Sequence, residues 1–383
     1  MRLTSAGAAL AAAVALAPAS AGAPPALPDP RAGSCAGPSS VVAEAESDAY
    51  RRVAPETAWP LSRGAGVLVG IVDSGVSAAA TGLAGAVAPG RDVVTGGRAD
   101  TDCLGRGTAL AAVIAARPQP ANLLSGVAPA ARILPVRVNA AKGGIPPGKL
   151  AAGIRAAVDA GARVVLVAVG AAPDPALAAA VVYAESRDVL VVAAVGNEKP
   201  GADGTPEPAW YPAAYPLALA VGGLDAEGHA TELVTERAAL DLVAPGKDVY
   251  TVGTTGPGNY VIGGAPAAAA YVAGAAALVR SYRPGLKAAR VRQWLVDTAA
   301  PAGPAGRRLD VYAAVSAVAP AASRVRDAAG AEPFALPAGK RRDPAARIAF
   351  GVAGLAVMLT IGLLFVVAVV RRRGHDAADP GSR

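Results

Sequence analysis

From residue 66 onward the chain alternates short apolar, β-branched runs with alanine-rich stretches of helical length, and this alternation narrows the possible folds most. It predicts strands over 67–72, 132–138, 163–169, 189–195 and 217–222. Helices are expected over 108–116, 149–160, 175–186, 267–282 and 287–298. A strand that is apolar at nearly every position has no face to offer water, so both of its faces must be covered. Such strands alternating with helices mean a mostly parallel α/β sheet between two helical layers. Pro135 interrupts one run and implies an irregular or edge position, because proline donates nothing to a ladder. Aromatic residues make up only 4% of the chain, so Ala, Val and Leu must pack the core. No internal repeat is visible.

The two ends obey other rules. Residues 1–23 have a short basic start, an apolar run and two A-x-A sites, Ala19-Ser20-Ala21 and Ala21-Gly22-Ala23. They read as a secretory signal peptide. A buried alanine-rich helix is the competing reading, opposed by Pro18 and the proline cluster at 24–30. Residues 348–370 carry no charge and are long enough to span a hydrocarbon core. Both flanks of that segment are basic, so the signal peptide sets the expected orientation, with the bulk of the protein exported and 371–383 in the cytoplasm. The chain thus divides into a signal peptide (1–23), an N-terminal extension (24–60), a main domain (61–322), a linker (323–347), a transmembrane helix (348–370) and a tail (371–383). The expected arrangement is a single-pass type I protein of the cell membrane.

The net charge of +7 suggests nucleic acid, and its distribution removes that reading. Arg2, residues 340–347 and residues 371–383 hold +1, +3 and +2, leaving +1 for 3–339. Basicity belongs to the ends of the chain rather than to a binding face. Export permits a disulfide, and Cys35 and Cys103 are the only thiols; pairing would tie the N-terminal extension to the main domain. Two free buried cysteines are the alternative. No metal site or cofactor is implied.

Four segments carry the chemistry. GVLVGIVDSGV (66–76) ends a strand on Asp73, and DCLGRGTALAAVIAA (102–116) opens a helix after a glycine turn. VVAAVGNEKP (191–200) ends a strand near Asn197, and GGAPAAAAYVAGAAALVRS (263–281) opens a long helix. Their order and spacing resemble the subtilisin-like serine proteases, in which Asp, His, an oxyanion Asn and Ser follow in that order. SGVAPAARILPVRV (125–138), WYPAAYPLALAVGGLDAEG (210–228) and LDLVAPGKDV (240–249) extend the resemblance over roughly 61–318. With the signal peptide, the two cysteines, the proline-rich linker and the anchor, the arrangement is similar to the mycosins, membrane-anchored subtilases of actinobacterial type VII secretion systems. The resemblance implies a subtilisin-like three-layer fold. It also implies partners among type VII membrane components or secreted polypeptides.

The motifs depart from that pattern where catalysis is performed. The family's G-H-G-T reads Gly105-Arg106-Gly107-Thr108, and its G-T-S-x-A-A-P reads Gly264-Ala265-Pro266-Ala267-Ala268-Ala269-Ala270. The usual Asn-x-Ser of the third strand is replaced by VVLVAVG at 164–170. A serine nucleophile needs a neighbouring base near neutral pKa. Arginine stays protonated and accepts no hydrogen bond, and proline has no hydroxyl. His229 lies in a turn-like segment and His375 in the tail, so neither stands in as base. A glutamate-based triad would still need a serine near 266, and the next one downstream is Ser281. Asn197 keeps the oxyanion position by resemblance, or simply caps its turn. Asp73 is the retained triad position or a structural strand-end carboxylate. Arg106 is a surface arginine, or it pairs with Asp73 where the triad stood. The expectation is a catalytically degenerate subtilase acting by binding or as a structural component. An active endopeptidase and a peptide-binding dead paralogue are the alternatives.

Overall fold

The computed structural model describes residues 22–28, 34–120, 122–139, 144–196, 210–232 and 240–318. Nearly all of the signal peptide, together with Asn197, the linker, the 348–370 segment and the tail, lies outside these residues. Among the described residues no helix is long and apolar enough to cross a membrane.

In chain order the helices are α1 (Asp48–Val53), α2 (Arg106–Ala115), α3 (Pro147–Asp159), α4 (Pro175–Ser186), α5 (Gly264–Tyr282), α6 (Ala288–Asp297) and α7 (Val311–Ser316). The strands are β1 (Leu68–Asp73), β2 (Arg91–Asp92), β3 (Arg132–Arg137), β4 (Val164–Val167), β5 (Leu190–Ala194), β6 (Leu219–Leu224), β7 (Leu242–Pro245), β8 (Val249–Val252), β9 (Asn259–Ile262), β10 (Ala300–Pro301) and β11 (Arg307–Arg308). The main sheet runs β10-β11-β7-β6-β5-β4-β1-β3-β2 and is parallel apart from the β10–β11 hairpin. Strand β1 lies between β3 and β4, so the chain turns one way from β1 and then returns to its other side. That reversal opens a crevice at the carboxyl ends of the strands, where open α/β sheets place their ligands.

The three-layer arrangement rests on small residues. On one face of β1, a Cβ at Gly70 would lie 3.0 Å from that of Ala157 in α3. One at Gly153 of α3 would lie 2.4 Å from Val138 and 2.8 Å from Val72, so α3 sits directly on the sheet. On the other face α5 is buried at every residue from Ala267 to Arg280, which its alanine content permits. Helix α4 spans the expected residues, and its start is set by Asp174, which caps it by accepting from Ala176 N–H at 2.8 Å and Leu177 N–H at 3.0 Å, with Pro175 following.

Pro135 sits in β3, one strand from the edge. The N–H of Ile133, on the same side of β3, donates outward to Ala86 O at 2.9 Å, so the donor that proline lacks is one that would have faced the sheet margin. The extension at 24–60 holds the short helix α1 and lies along the β8–β9 hairpin. Val261 N–H donates to Pro25 O at 2.8 Å, Leu27 N–H to Val261 O at 2.9 Å, and Asn259 N–H to Val41 O at 2.7 Å. Cys35 and Cys103 form a disulfide.

Candidate functional site

Asp73 ends β1 at the crevice and is fully buried. Its Oδ1 accepts from Ser74 N–H at 2.7 Å, and Arg106 Nε donates to Oδ1 at 2.9 Å and Oδ2 at 3.2 Å. A carboxylate excluded from water is thus compensated by a guanidinium whose side chain is 37% exposed. The ion pair stands where the resemblance puts Asp and His.

Local sequence explains why Arg106 points there. Gly105 precedes α2 with φ +77°, a left-handed conformation that suits glycine. A Cβ at Gly107 would lie 2.0 Å from Gly75 O, so only glycine lets α2 start this close to the turn after β1. Asp102 then caps the helix from outside it. Its Oδ1 accepts from Gly105 N–H at 2.9 Å, and its Oδ2 from Thr108 N–H at 2.9 Å and Thr108 Oγ1 at 2.8 Å. Burial pushes the Asp102 carboxyl above its ordinary value, against the downward pull of the two Thr108 bonds. Ser74 is buried, its Oγ accepting from Gly107 N–H at 3.0 Å, so the serine next to Asp73 is structural.

Behind this pair lies a second one. Arg137 at the end of β3 donates from Nη1 to Asp92 Oδ2 at 2.7 Å and from Nε to Ser74 O at 3.0 Å. Burial raises the Asp92 carboxyl, but hydrogen bonds from Thr95 and Arg137 outweigh it and hold the group below its ordinary value.

The other side of the crevice is the start of α5. Pro266 is the third residue of that helix, in its first turn, where a missing N–H breaks no bond. Glu232 covers the same turn. Its Oε1 accepts from Ala265 N–H, while its Oε2 accepts from Gly223 N–H at 2.9 Å and from Thr231 Oγ1 at 2.7 Å. A carboxylate is favoured at a helix N-terminus, where free N–H groups concentrate positive potential. A pyrrolidine ring and an internal carboxylate therefore occupy the region where a nucleophile would be needed.

His229 does not approach this crevice chemistry. It is exposed and pairs through Nδ1 with Asp225 Oδ2 at 3.4 Å, in the turn after β6. Asp225, Glu227 and His229 could reach one cation, but they are an exposed cluster with nothing further to mark a metal centre. The disulfide bears on the site through position alone. Cys103 lies three residues before Arg106, and a Cβ at Gly105 would meet Ala36 and Leu27 at 3.3 Å, so the N-terminal extension backs the turn that presents Arg106.

Sequence reasoning singled out Asp73, Arg106 and Pro266, and the structure puts all three at the carboxyl edge of the sheet. It missed Asp102 and Glu232. For Asp102 the available signal was an acid six residues before Thr108, at a turn opening a helix. Glu232 left none, because its partners lie on β6 and α5, far away in the chain.

Residues 64–328 match the family model described as the subtilase family. The chain is 32% identical to mycosin-3 of Mycobacterium tuberculosis (strain ATCC 25618 / H37Rv), over 84% of this chain and 83% of that protein. It is 35% identical to subtilisin DY of Bacillus licheniformis, over 62% of this chain and 85% of that one. Among solved structures, the MycP3 protease from the type VII (ESX-3) secretion system superposes with a TM-score of 0.65 at 28% identity, covering 79% of this chain and 97% of that one.

Proposed function

The chain belongs to the subtilase family, on its mycosin branch, and from that premise we propose that it is a membrane-anchored pseudoprotease of a type VII secretion system. It acts through binding rather than peptide hydrolysis. The observation that carries this reading is the ion pair of Arg106 with buried Asp73, opposite a helix whose first turn holds Pro266. In a serine protease the carboxylate orients an imidazole, which takes the proton of a serine hydroxyl. Here the carboxylate is spent on a permanent cation that cannot accept a proton, and position 266 has neither a hydroxyl nor an N–H. An oxyanion donor at Asn197 would have no tetrahedral intermediate to stabilise.

What remains is a rigid, disulfide-tied domain whose crevice has become a packed and neutralised structure. Such a domain suits a structural component of a secretion membrane complex. The type VII assignment comes from the mycosin relatives, and the anchor from residues 1–23 and 348–370.

A fluorophosphonate probe tests the catalytic part. The intact protein is expected to stay unlabelled, as are R106H and P266S, since each restores one group without its partner. Labelling of the unaltered protein that disappears on denaturation would overturn the reading. Gentle detergent extraction tests the binding part. Retention of secretion-membrane proteins supports a structural role, whereas recovery of exported peptides alone favours a peptide-binding paralogue.

A further inference from the structure

The amino edge of the sheet, opposite the crevice, carries a charge pattern that the proposed function does not use. Arg132 and Arg163 stand immediately before or at the start of β3 and β4, and Arg187 and Asp188 precede β5. The C-terminal end of α5 reaches the same edge, since Ser281 Oγ donates to Ala65 O at 2.8 Å and Ser62 Oγ to Leu278 O at 2.9 Å. Helix α6 begins there too, with Ala288 N–H donating to Asp188 Oδ1 at 2.5 Å.

One carboxylate serves several cations at this edge. Arg163 Nη2 lies 3.3 Å, Arg280 Nη2 3.0 Å and Lys287 Nζ 3.9 Å from Asp188 Oδ2. The Arg280 side chain is 1% exposed, and its Nε and Nη1 find no acceptor among the described residues. Exposed Arg63, Arg132, Arg187 and Arg290 add to this charge. Set against them are Glu185 and Asp159, at the ends of α4 and α3, and Asp241, which immediately precedes β7 and accepts from Ala220 N–H at 2.9 Å. Large apolar groups share the surface: Leu61 is 37% and Tyr282 43% exposed. The chain also leaves the described domain here. Arg283 Nη2 donates to Val315 O at 3.4 Å and to Ala317 O, holding the segment that ends at Val318 against the end of α5.

We infer that this edge docks on a surface of anionic phospholipid headgroups, turning the crevice edge away from the membrane. The argument joins three observations: the exposed cations Arg63, Arg132, Arg187, Lys287 and Arg290, exposed Leu61 and Tyr282 of the kind that enter a headgroup layer, and a chain exit on the same edge. The tether makes weak contacts sufficient. Residues 319–347 span at most about 100 Å of chain before the expected 348–370 anchor, so the domain cannot leave the neighbourhood of the bilayer. The inference rests on the anchored reading given above.

The test uses the full chain reconstituted in nanodiscs of phosphatidylcholine alone or with phosphatidylglycerol. Single dyes are placed on Gly285→Cys at the basic edge or Ala226→Cys at the crevice edge, both exposed positions, with an acceptor dye in the lipid. Energy transfer from position 285 is expected to exceed that from 226 only with phosphatidylglycerol, and to fall to the neutral-lipid level in about 0.5 M salt. The triple variant R63E/K287E/R290E should reduce the docked-to-undocked ratio roughly a hundredfold, with its melting temperature reported alongside as a folding control. Equal transfer from the two positions whatever the lipid charge overturns the inference, even if the chain is anchored. Release of the chain by carbonate would instead defeat the anchor, and flotation of the released chain with the same two lipid mixtures would still score the basic edge.

Discussion

The two edges of the sheet treat charge in opposite ways. At the carboxyl edge each acid has its own donors: buried Asp73 has Arg106, buried Asp92 has Arg137, buried Asp102 has the N–H and hydroxyl of Thr108, and half-buried Glu232 has the first turn of α5. At the amino edge Arg163, Arg280 and Lys287 share Asp188 alone. Burial, with the charge of Arg163 beside it, pulls Arg280 below the ordinary range of an arginine. Among the described residues the crevice edge leaves one buried nitrogen without a partner, Arg106 Nη2, whereas the amino edge leaves Arg163 Nε and both Nε and Nη1 of Arg280. The larger surplus of unpaired donors therefore lies at the amino edge, where three cations share one carboxylate.

The strongest way to break this contrast is to remove the shared acid. Asp188→Asn keeps a residue that tolerates the left-handed φ of +61° but leaves Arg280 buried without a counter-charge. A loss of about 3 kcal/mol in urea unfolding is expected. At the crevice, Arg106→Gln uncovers Asp73, yet Ser74 N–H still serves that carboxylate and the lost guanidinium is over a third exposed. The expected loss is about 1 kcal/mol, and a larger loss than that of Asp188→Asn would reverse the ranking of the two edges.

The smallest effects are in pH dependence and separate two acids within the crevice edge. Asp92 sits below its ordinary value of 3.8, so its contribution is complete above that value and is lost as pH falls through the lowered one. Asp102 sits above 3.8, so the native state holds its proton longer and stability declines as pH rises from 3.8 towards the raised value. Urea midpoints between pH 3 and 6 should therefore show a shallower fall towards low pH in Asp92→Asn, and a shallower decline with rising pH in Asp102→Asn. Identical slopes in both variants would refute the opposed shifts.

Much of the fold was legible because its signals are local. The Asp174-Pro175 pair marks the start of α4 within two residues, and wholly apolar runs announce strands buried on both faces. Helix α5 begins at Gly264 rather than 267: Gly263 is extended and Gly264 takes a left-handed φ of +78°, a helix start that the alanine run by itself does not announce. Strands β2, β7, β8, β9, β10 and β11 were not foreseen. They have two to four residues each, too few to show a period, and they exist only because a partner segment pairs with them.

The site divides in the same manner. That position 106 holds arginine and position 266 proline is written in the chain, and with it the lack of a base and a nucleophile there, since side-chain chemistry does not depend on folding. That Arg106 spends itself on Asp73, that Glu232 closes the start of α5, and that three cations converge on Asp188 are consequences of tertiary structure. Each joins residues from 25 to 99 positions apart. Contacts across such separations are set by sheet order and helix packing, which no local pattern encodes, so the sequence says which groups are present and only the fold says which of them are paired.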